Sequence, residues 1–456
     1  ALEAASCARR GGAGAPAGTG APPAPASLPA SPLGCRGASI GWRDRSNGDA
    51  WFLVERRGPS SRDWSRVRLA PPGETRCTDW GLEADSPYGY RVTSVGADGS
   101  MSSPTNPAEM LTLPTSVPEP RVEVFDRRAV SPGATLFGLF DPDLPLSLAL
   151  VMAVDEEGRV VWQFEFDAFL VTETDVLPGG DILLQSGFTT IRVSRQGMPR
   201  SWTSAVYVHH DVDALPWGNL VAISSPSLGP GVAPWTVSGV PGPGAKRTLE
   251  RIIEVDPGTE RVVNAIEWER LVPADHDCGP CLGTWLFDGS DWLHLNSVEY
   301  DLADEALYVS VRNLNRVYKI GYPDGEIEWI LGDGGDFGEG LFSHQHNPGI
   351  VAPGRMLMFD NGLHRGFTEP SWSRVIEIEF DGEAGAARIV WEYDGPPPFR
   401  SEIMGDATRL ENGNTLIVDS ADRWILEVSP DGMPVWELTV PPPYVVYKAH
   451  RVPGFP

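Results

Sequence analysis

Val151-Met152-Ala153-Val154-Asp155-Glu156-Glu157-Gly158-Arg159-Val160-Val161-Trp162 decides the fold. It reads as an apolar strand, an Asp-x-x-Gly turn and a second strand that ends on tryptophan. The pattern returns around Ile252 to Trp268, Val317 to Trp329, Val375 to Trp391 and Ile425 to Trp436, with a worn copy from Ile191 to Trp202. A companion motif, a polar turn with glycine leading into an apolar strand, occurs at Pro178 to Leu184, Pro216 to Ala222, Pro353 to Phe359 and Glu411 to Val418. Each unit holds about four short strands, a sheet that cannot bury its faces alone, so the units must stack. Radial stacking of four-stranded sheets is a β-propeller, and the copies imply six blades. Arg121-Val122-Glu123-Val124-Phe125 is expected to complete the last blade and close it. The fold class expected is all-β, a six-bladed β-propeller over residues 117–456 preceded by a small β-sandwich over 32–116.

The sandwich is read from strands at Ser39 to Trp42, Ala50 to Arg56 and Tyr88 to Val95, with turn residues between them. The last strand and its Gly96-to-Pro104 turn resemble the corresponding part of a fibronectin type III (immunoglobulin-like) domain, with Trp42 as core tryptophan. Cys35 and Cys77 fall inside this module and would pair if the chain is exported. Ahead of it, residues 1–31 form a flexible tether rich in Gly, Ala and Pro. Ala4-Ala5-Ser6 directly before Cys7 resembles the processing site of a bacterial lipoprotein, with lipid anchoring at Cys7. That flank places the protein outside the cytoplasm, in the periplasm or as an outer-membrane or cell-surface lipoprotein of a bacterium. The charged and apolar regions of a signal peptide are absent from the sequence, so export is inferred rather than read.

Composition agrees with many short strands and turns, since Gly (50) and Pro (43) are abundant among 456 residues. A formal charge of −26 argues against nucleic acid or an anionic membrane surface as partner. An anionic substrate therefore needs a local cationic pocket. Such a pocket is sought among residues that the repeat leaves unexplained. Val208-His209-His210-Asp211, Leu293-His294-Leu295-Asn296-Ser297, Ser310-Val311-Arg312-Asn313 and Ser343-His344-Gln345-His346-Asn347-Pro348 carry most of the imidazoles. Equivalent repeat positions in a propeller converge on one channel. In an extended strand His344 and His346 share a face, whereas only one of His209 and His210 faces inward.

These motifs, with Phe359-Asp360-Asn361-Gly362-x-x-Arg365-Gly366, resemble the bacterial arylsulfotransferases that work without phosphoadenosine phosphosulfate. The resemblance covers roughly Pro118 to the C-terminus. It implies sulfuryl transfer from a phenolic sulfate to a phenol through a sulfohistidine, with no cofactor and no metal. His346 matches the family's nucleophile; His210, His294 and Arg312 match its other site residues. The chemistry of these side chains agrees. A neutral imidazole escapes the repulsion that sulfate oxygens exert on anionic nucleophiles, and covalent capture splits the transfer into two steps. Arg312 offers a planar fork of donors to the charged oxygens. A second imidazole, His294 or His210, serves as acid and base on the phenolic oxygen. Asn296, His344 and Asn347 are candidate substrate-binding residues, Asn296 orienting an imidazole or capping a turn.

Other readings compete. Channel histidines could hold zinc for a metal-dependent hydrolase, against which stands the Arg312 cation among them. A non-catalytic propeller could be a binding platform on the cell surface. Cys278-Gly279-Pro280-Cys281 suggests a short disulfide clamping a loop, and His276, His364 and His450 are read as ordinary loop or core residues.

Overall fold

The computed structural model describes residues 21–33, 35–114, 119–142, 148–167, 170–177, 179–186, 189–195, 199–201, 208–225, 250–268, 271, 293–363, 372–395 and 398–455. The chain divides into two compact units. In the first, a three-stranded sheet (Ala26–Leu33, Gly37–Arg43, Arg76–Trp80) and a four-stranded sheet (Trp51–Arg57, Ser65–Ala70, Pro87–Val95, Ala108–Leu111) are built on tight turns. Buried Trp42 of the one meets Phe52 of the other at 5.4 Å between rings. Ala26–Leu33 is a strand where the sequence suggested the end of a tether. It lies at a sheet edge, where proline is tolerated because its missing N–H faces no partner strand.

The expected Cys35–Cys77 disulfide is not formed. Both cysteines are buried free thiols, Cys35 in the turn before Gly37–Arg43 and Cys77 within Arg76–Trp80. Burial, with the Asp79 carboxylate beside it, pushes the Cys77 thiol up to about 12, so it stays an unreactive S–H. Cys278 and Cys281 lie outside the described residues.

The described residues of the second unit form six antiparallel sheets in chain order. Sheet one joins Ala134–Phe140, Leu148–Val154 and Val160–Asp167 to a strand from far down the chain, Val445–Val452. Sheets two to six each begin with a lead strand: Val171–Val176, Val208–Ala214, Leu295–Asp301, His346–Ala352 and Asp406–Arg409. The lead strands touch in sequence, and Val445–Val452 lies against both the last and the first of them, so the contacts run in a cycle. Arg121–Phe125 does join sheet six, as a fifth strand beside Pro434–Thr439. The join between chain ends in sheet one is made instead by Val445–Val452, a segment outside the repeat pattern.

The repeat now has a physical explanation. Apolar side chains on both faces of each sheet fill the gaps to its neighbours. Leu136, Val151 and Trp162 of sheet one meet Ile182 and Leu184 of sheet two. On the other side Phe137, Leu150 and Met152 meet Leu416, Ile425 and Trp436 of sheet six. The outer tryptophan reaches over to the next sheet. Trp162 Nε1 donates to the Arg195 carbonyl (3.1 Å), Trp391 Nε1 to Pro430 (3.0 Å) and Trp436 Nε1 to Glu156 (2.7 Å), the last from sheet six to sheet one. Trp268 meets Tyr318 of sheet four edge-on at 5.2 Å. Trp329 packs over Gly382 of the next sheet so closely that a Cβ there would fall 2.7 Å from the indole. For Trp162, Trp329, Trp391 and Trp436 a hairpin turn of the neighbouring sheet is thus the seat.

Between the lead strands the links are carboxylates. Asp211 accepts from the Val298 N–H (2.8 Å), Asp213 from Tyr300 (2.9 Å), Glu299 from Ile350 (3.4 Å) and Asp406 from Ala449 (3.5 Å). Buried Lys448 donates to Glu173 (2.6 Å) and Asp211 (2.7 Å), and His450 Nε2 meets Glu173 Oε1 at 3.1 Å. These groups line a cavity of about 640 Å³ together with Asp175, Ser297, Asn347 and Arg409. The negative charge is crowded. Burial and the neighbouring Asp213 and Asp211 push Glu299 up to about 8, and burial pushes Asp213 up to about 6.

A carboxyl whose folded value is raised contributes fully below its ordinary value of 4.5 and loses that contribution as pH climbs toward 8. Glu299→Gln should therefore match the parent near pH 4.5 and exceed it at pH 8 by about 1–3 kcal/mol. Urea unfolding at the two pH values reads the difference; equal gains at both would refute the ionisation argument.

Candidate active site

Sheet four supplies two neighbours. Its second strand ends at Val311 and turns into a short 3-10 segment, Arg312–Leu314, closed by Asn315 in left-handed backbone (φ 53°). The Arg312 N–H bonds to the His294 carbonyl (3.2 Å), so the two residues sit side by side across the end of the ladder. Arg312 is wholly buried, with Nη1 on the Asn313 side-chain oxygen (2.8 Å) and Nη2 on the Glu402 carbonyl (3.2 Å). Asn315 Oδ1 accepts the His344 N–H at 2.8 Å, fastening sheet four to the segment before sheet five.

Sheet five supplies His346, the first residue of its lead strand. Asp360, at the end of the next strand, accepts the Ser343 N–H (2.9 Å) and pairs with Arg374 (3.0 Å), shaping the approach to His346. Gln345 Nε2 donates to Ser310 (3.0 Å) and to the Arg316 carbonyl (2.9 Å), and Asn296 Nδ2 donates to the Gln345 carbonyl (2.8 Å). Asn361 then fixes the ring. Its Nδ2 donates to the Ser401 and Met404 carbonyls (2.6 and 2.8 Å), which turns Oδ1 toward His346 Nδ1 at 2.7 Å. Nδ1 must donate, so Nε2 holds the lone pair, and the Met404 N–H approaches it at 3.3 Å. Burial and the Arg312 charge hold His346 far below the usual histidine range, hydrogen bonds to Asn361 and the His344 backbone only partly opposing them. A neutral imidazole with a defined lone pair is what a nucleophile requires.

His210 lies on sheet three with its ring 4.5 Å from that of His294, edge to face. Burial, then the neighbouring His294, His209, His346 and Arg312, hold it neutral as well. His209 does not turn to the opposite face as strict alternation requires. Its Nδ1 is 2.7 Å from His210 Nδ1, and its Nε2 is 3.7 Å from Glu250. The reason is local backbone. His210 has φ 60°, and pairing with the neighbouring strand slips between Val208 and Val212. His294 (φ 54°), His344 (φ 55°), Asn347 (φ 46°) and Met404 (φ 62°) share this left-handed geometry, each costing on the order of 1 kcal/mol. Such kinks aim side chains where a regular strand would not.

The kink at His344 also breaks the shared face expected of His344 and His346. His344 Nδ1 is on Ser343 Oγ (3.0 Å), and Ser343 in turn donates to the Leu363 carbonyl. Asn347 turns away from the imidazoles: its Nδ2 bonds the Gly405 carbonyl (2.9 Å) and it lines the carboxylate cavity. His450 pairs with Glu173 in that cavity, while His276, His364, Arg365 and Gly366 lie outside the described residues. Neither the role of Asn361 as orienter, although it stands in the Phe359-to-Gly366 motif, nor that of His209 as partner of His210 is legible from the chain, because both depend on distances across irregular backbone. Replacing Asn361 with alanine should lower turnover by about 10–100-fold with little change in KM, since His346 loses its tautomer lock; a pure KM effect would argue for substrate contact instead.

Among the described residues no group of three or more His, Cys, Asp or Glu is arranged to hold a metal. What converges is one buried guanidinium and three imidazoles, a setting for an anion. The arylsulfotransferase (ASST) family model matches residues 146–429. The arylsulfate sulfotransferase AssT of Escherichia coli O6:H1 is 28% identical over 167 residues, 29% of this chain and 27% of the relative. AssT of Lelliottia amnigena is 25% identical over 138 residues, 23% of each chain. The chain thus aligns with about a quarter of the length of these curated relatives. A crystal structure of a protein of unknown function from Bacteroides caccae is similar over 70% of this chain and 98% of that one, at 12% identity and TM-score 0.45. The family match encloses His210, His294, Arg312 and His346 alike, and on that match the chain belongs to the arylsulfotransferase family.

Proposed function

We propose that this chain moves a sulfuryl group from an aryl sulfate ester to a phenol, by a ping-pong route through a sulfohistidine on His346. The six sheets are taken as blades of a six-bladed β-propeller, with the imidazoles toward one end of its channel and the carboxylate cavity toward the other. The cyclic lead-strand contacts and the Trp436-to-Glu156 bond support that arrangement. One observation carries the reading. His346 is held neutral, its Nδ1–H bonded to Asn361 and its Nε2 lone pair turned the other way, beside the buried Arg312 charge.

In the first half-reaction the Nε2 lone pair attacks sulfur as the sulfur–oxygen bond to the aryl group breaks, and that electron pair leaves on the phenolate. The ring keeps its Nδ1–H, and the positive charge it gains is balanced by the bound sulfonate and stabilised by Asn361 Oδ1. Arg312 faces the charge on the sulfuryl oxygens. His210 and His294 offer ring N–H donors to the same group and, in the second half, a base for the acceptor's proton. The acceptor oxygen then attacks sulfur, the nitrogen–sulfur bond breaks and the lone pair returns to Nε2.

Phenolate release from 4-nitrophenyl sulfate that depends on an added phenol and withstands chelator is the expected result. Release into water alone, abolished by chelator, would favour a metal-dependent hydrolase; no turnover of any aryl sulfate would favour a binding platform. Because His346 titrates far below its ordinary 6.5, kcat/KM for the donor should stay level from pH 8 to below 6.5. A tenfold fall across pH 6.5 would contradict a neutral, buried nucleophile. In the same reading the first unit is a fibronectin type III-like spacer and Cys7 a lipid-anchoring site. Cys7→Ser should then move the protein from the membrane to the soluble fraction of a bacterial host.

A further inference from the structure

Tyr447, on the strand that closes sheet one, is 2% exposed, and its hydroxyl has no hydrogen-bond partner among the described residues. Other buried tyrosines do have one: Tyr90 bonds Asp79, Tyr308 bonds Asp304 and Tyr318 meets Arg316. A phenol hydroxyl stripped of water and left unbonded is destabilising, a cost that persists where the group awaits a ligand. The position of Tyr447 says which ligand. Its ring stands edge-on to His346 at 6.2 Å. It packs with Phe140 and Val445 in a small cluster against which Met404 rests, and the Met404 N–H is what approaches His346 Nε2. Tyr447 is therefore a neighbour both of the His346 ring and of Met404, the residue whose N–H meets Nε2.

We infer that Tyr447 is a further catalytic residue, whose hydroxyl donates a hydrogen bond to the phenolic oxygen that leaves in the first half-reaction and attacks in the second. The inference rests on the sulfuryl-transfer reading of His346. Arg312 and the imidazoles face the sulfuryl oxygens, and one imidazole takes the acceptor's proton in the second half-reaction; the phenolic oxygen gains a second donor where it carries the electron pair from the broken bond. A phenol suits that task, because donor and departing phenolate have similar acidities and share a proton well. Burial raises Tyr447 above the ordinary tyrosine value, so it keeps its proton and acts by hydrogen bonding rather than by full transfer.

The test compares Tyr447→Phe with the parent on two donors, phenyl sulfate and 4-nitrophenyl sulfate, each with a fixed phenol acceptor. The variant keeps the ring, and its melting temperature should match the parent. If Tyr447 serves the leaving oxygen, kcat/KM for phenyl sulfate, whose phenolate needs help, should fall about 10–100-fold. For 4-nitrophenyl sulfate, whose phenolate needs little, the fall should be no more than about threefold, so the dependence on leaving-group acidity steepens. Equal losses on both donors, or none on either, would overturn the assignment while leaving the sulfuryl-transfer reading intact. A parent enzyme that consumes neither donor would bring down the underlying reading and this assignment with it.

Discussion

Replacing His346 with alanine should lower aryl-sulfate turnover by about four orders of magnitude or more while leaving the fold in place. The size follows from removing a covalent nucleophile, which forces a one-step displacement on an anionic sulfate ester. The fold is expected to survive because the His346 side chain makes two hydrogen bonds, with Asn361 and with the Met404 N–H, at the first residue of a strand whose partners remain. Mass spectrometry of donor-treated parent should place a sulfuryl group on the peptide carrying His346, and the variant should carry none. A sulfuryl group on His344 would reassign the nucleophile. Retained turnover with no labelled peptide would mean direct transfer between donor and acceptor.

The second large effect lies outside the imidazole cluster. Lys448→Met should cost about 3–5 kcal/mol, because it leaves Glu173 and Asp211 buried without their shared cation, with Asp406 near them. For a unit of this size that is a fall of about 10 °C in melting temperature. Adding Asp211→Asn should recover part of the loss, and the deficit should shrink on acidification as the carboxylates take up protons. A melting temperature within a degree of the parent would mean that the cavity carboxylates are held neutral without Lys448.

Much of this was legible in the chain. The Asp-x-x-Gly turn and the terminal tryptophan recur because Trp162, Trp329, Trp391 and Trp436 each sit on a neighbouring hairpin turn, so one unit's sequence encodes a contact with the next. The imidazoles and Arg312 stood out as polar residues the repeat did not need. Their exact partners were hidden for a physical reason: strand alternation predicts faces only where backbone is regular, and His210, His294 and His344 are all left-handed. Asn361 and Tyr447 were invisible for another reason. Their roles arise from packing between segments far apart in sequence, which neither the Phe359-to-Gly366 motif that holds Asn361 nor the chain around Tyr447 reveals. The missing disulfide shows the same limit, since two cysteines in one module carry no information on how far apart they fold.

The strand Val445–Val452 has a consequence for the order in which this protein becomes active. Sheet one begins at Ala134, yet its fourth strand is made more than 300 residues later. During synthesis sheets two to six can form as they emerge, while sheet one keeps an open edge that invites pairing with other chains. The same late strand carries Tyr447 and Lys448. Closure, cation and phenol thus arrive together, and an unfinished chain holds His346 in a half-built site. Folding should be slow for its size, as such long-range pairing demands, and activity should appear only once Val445–Val452 has paired with sheet one.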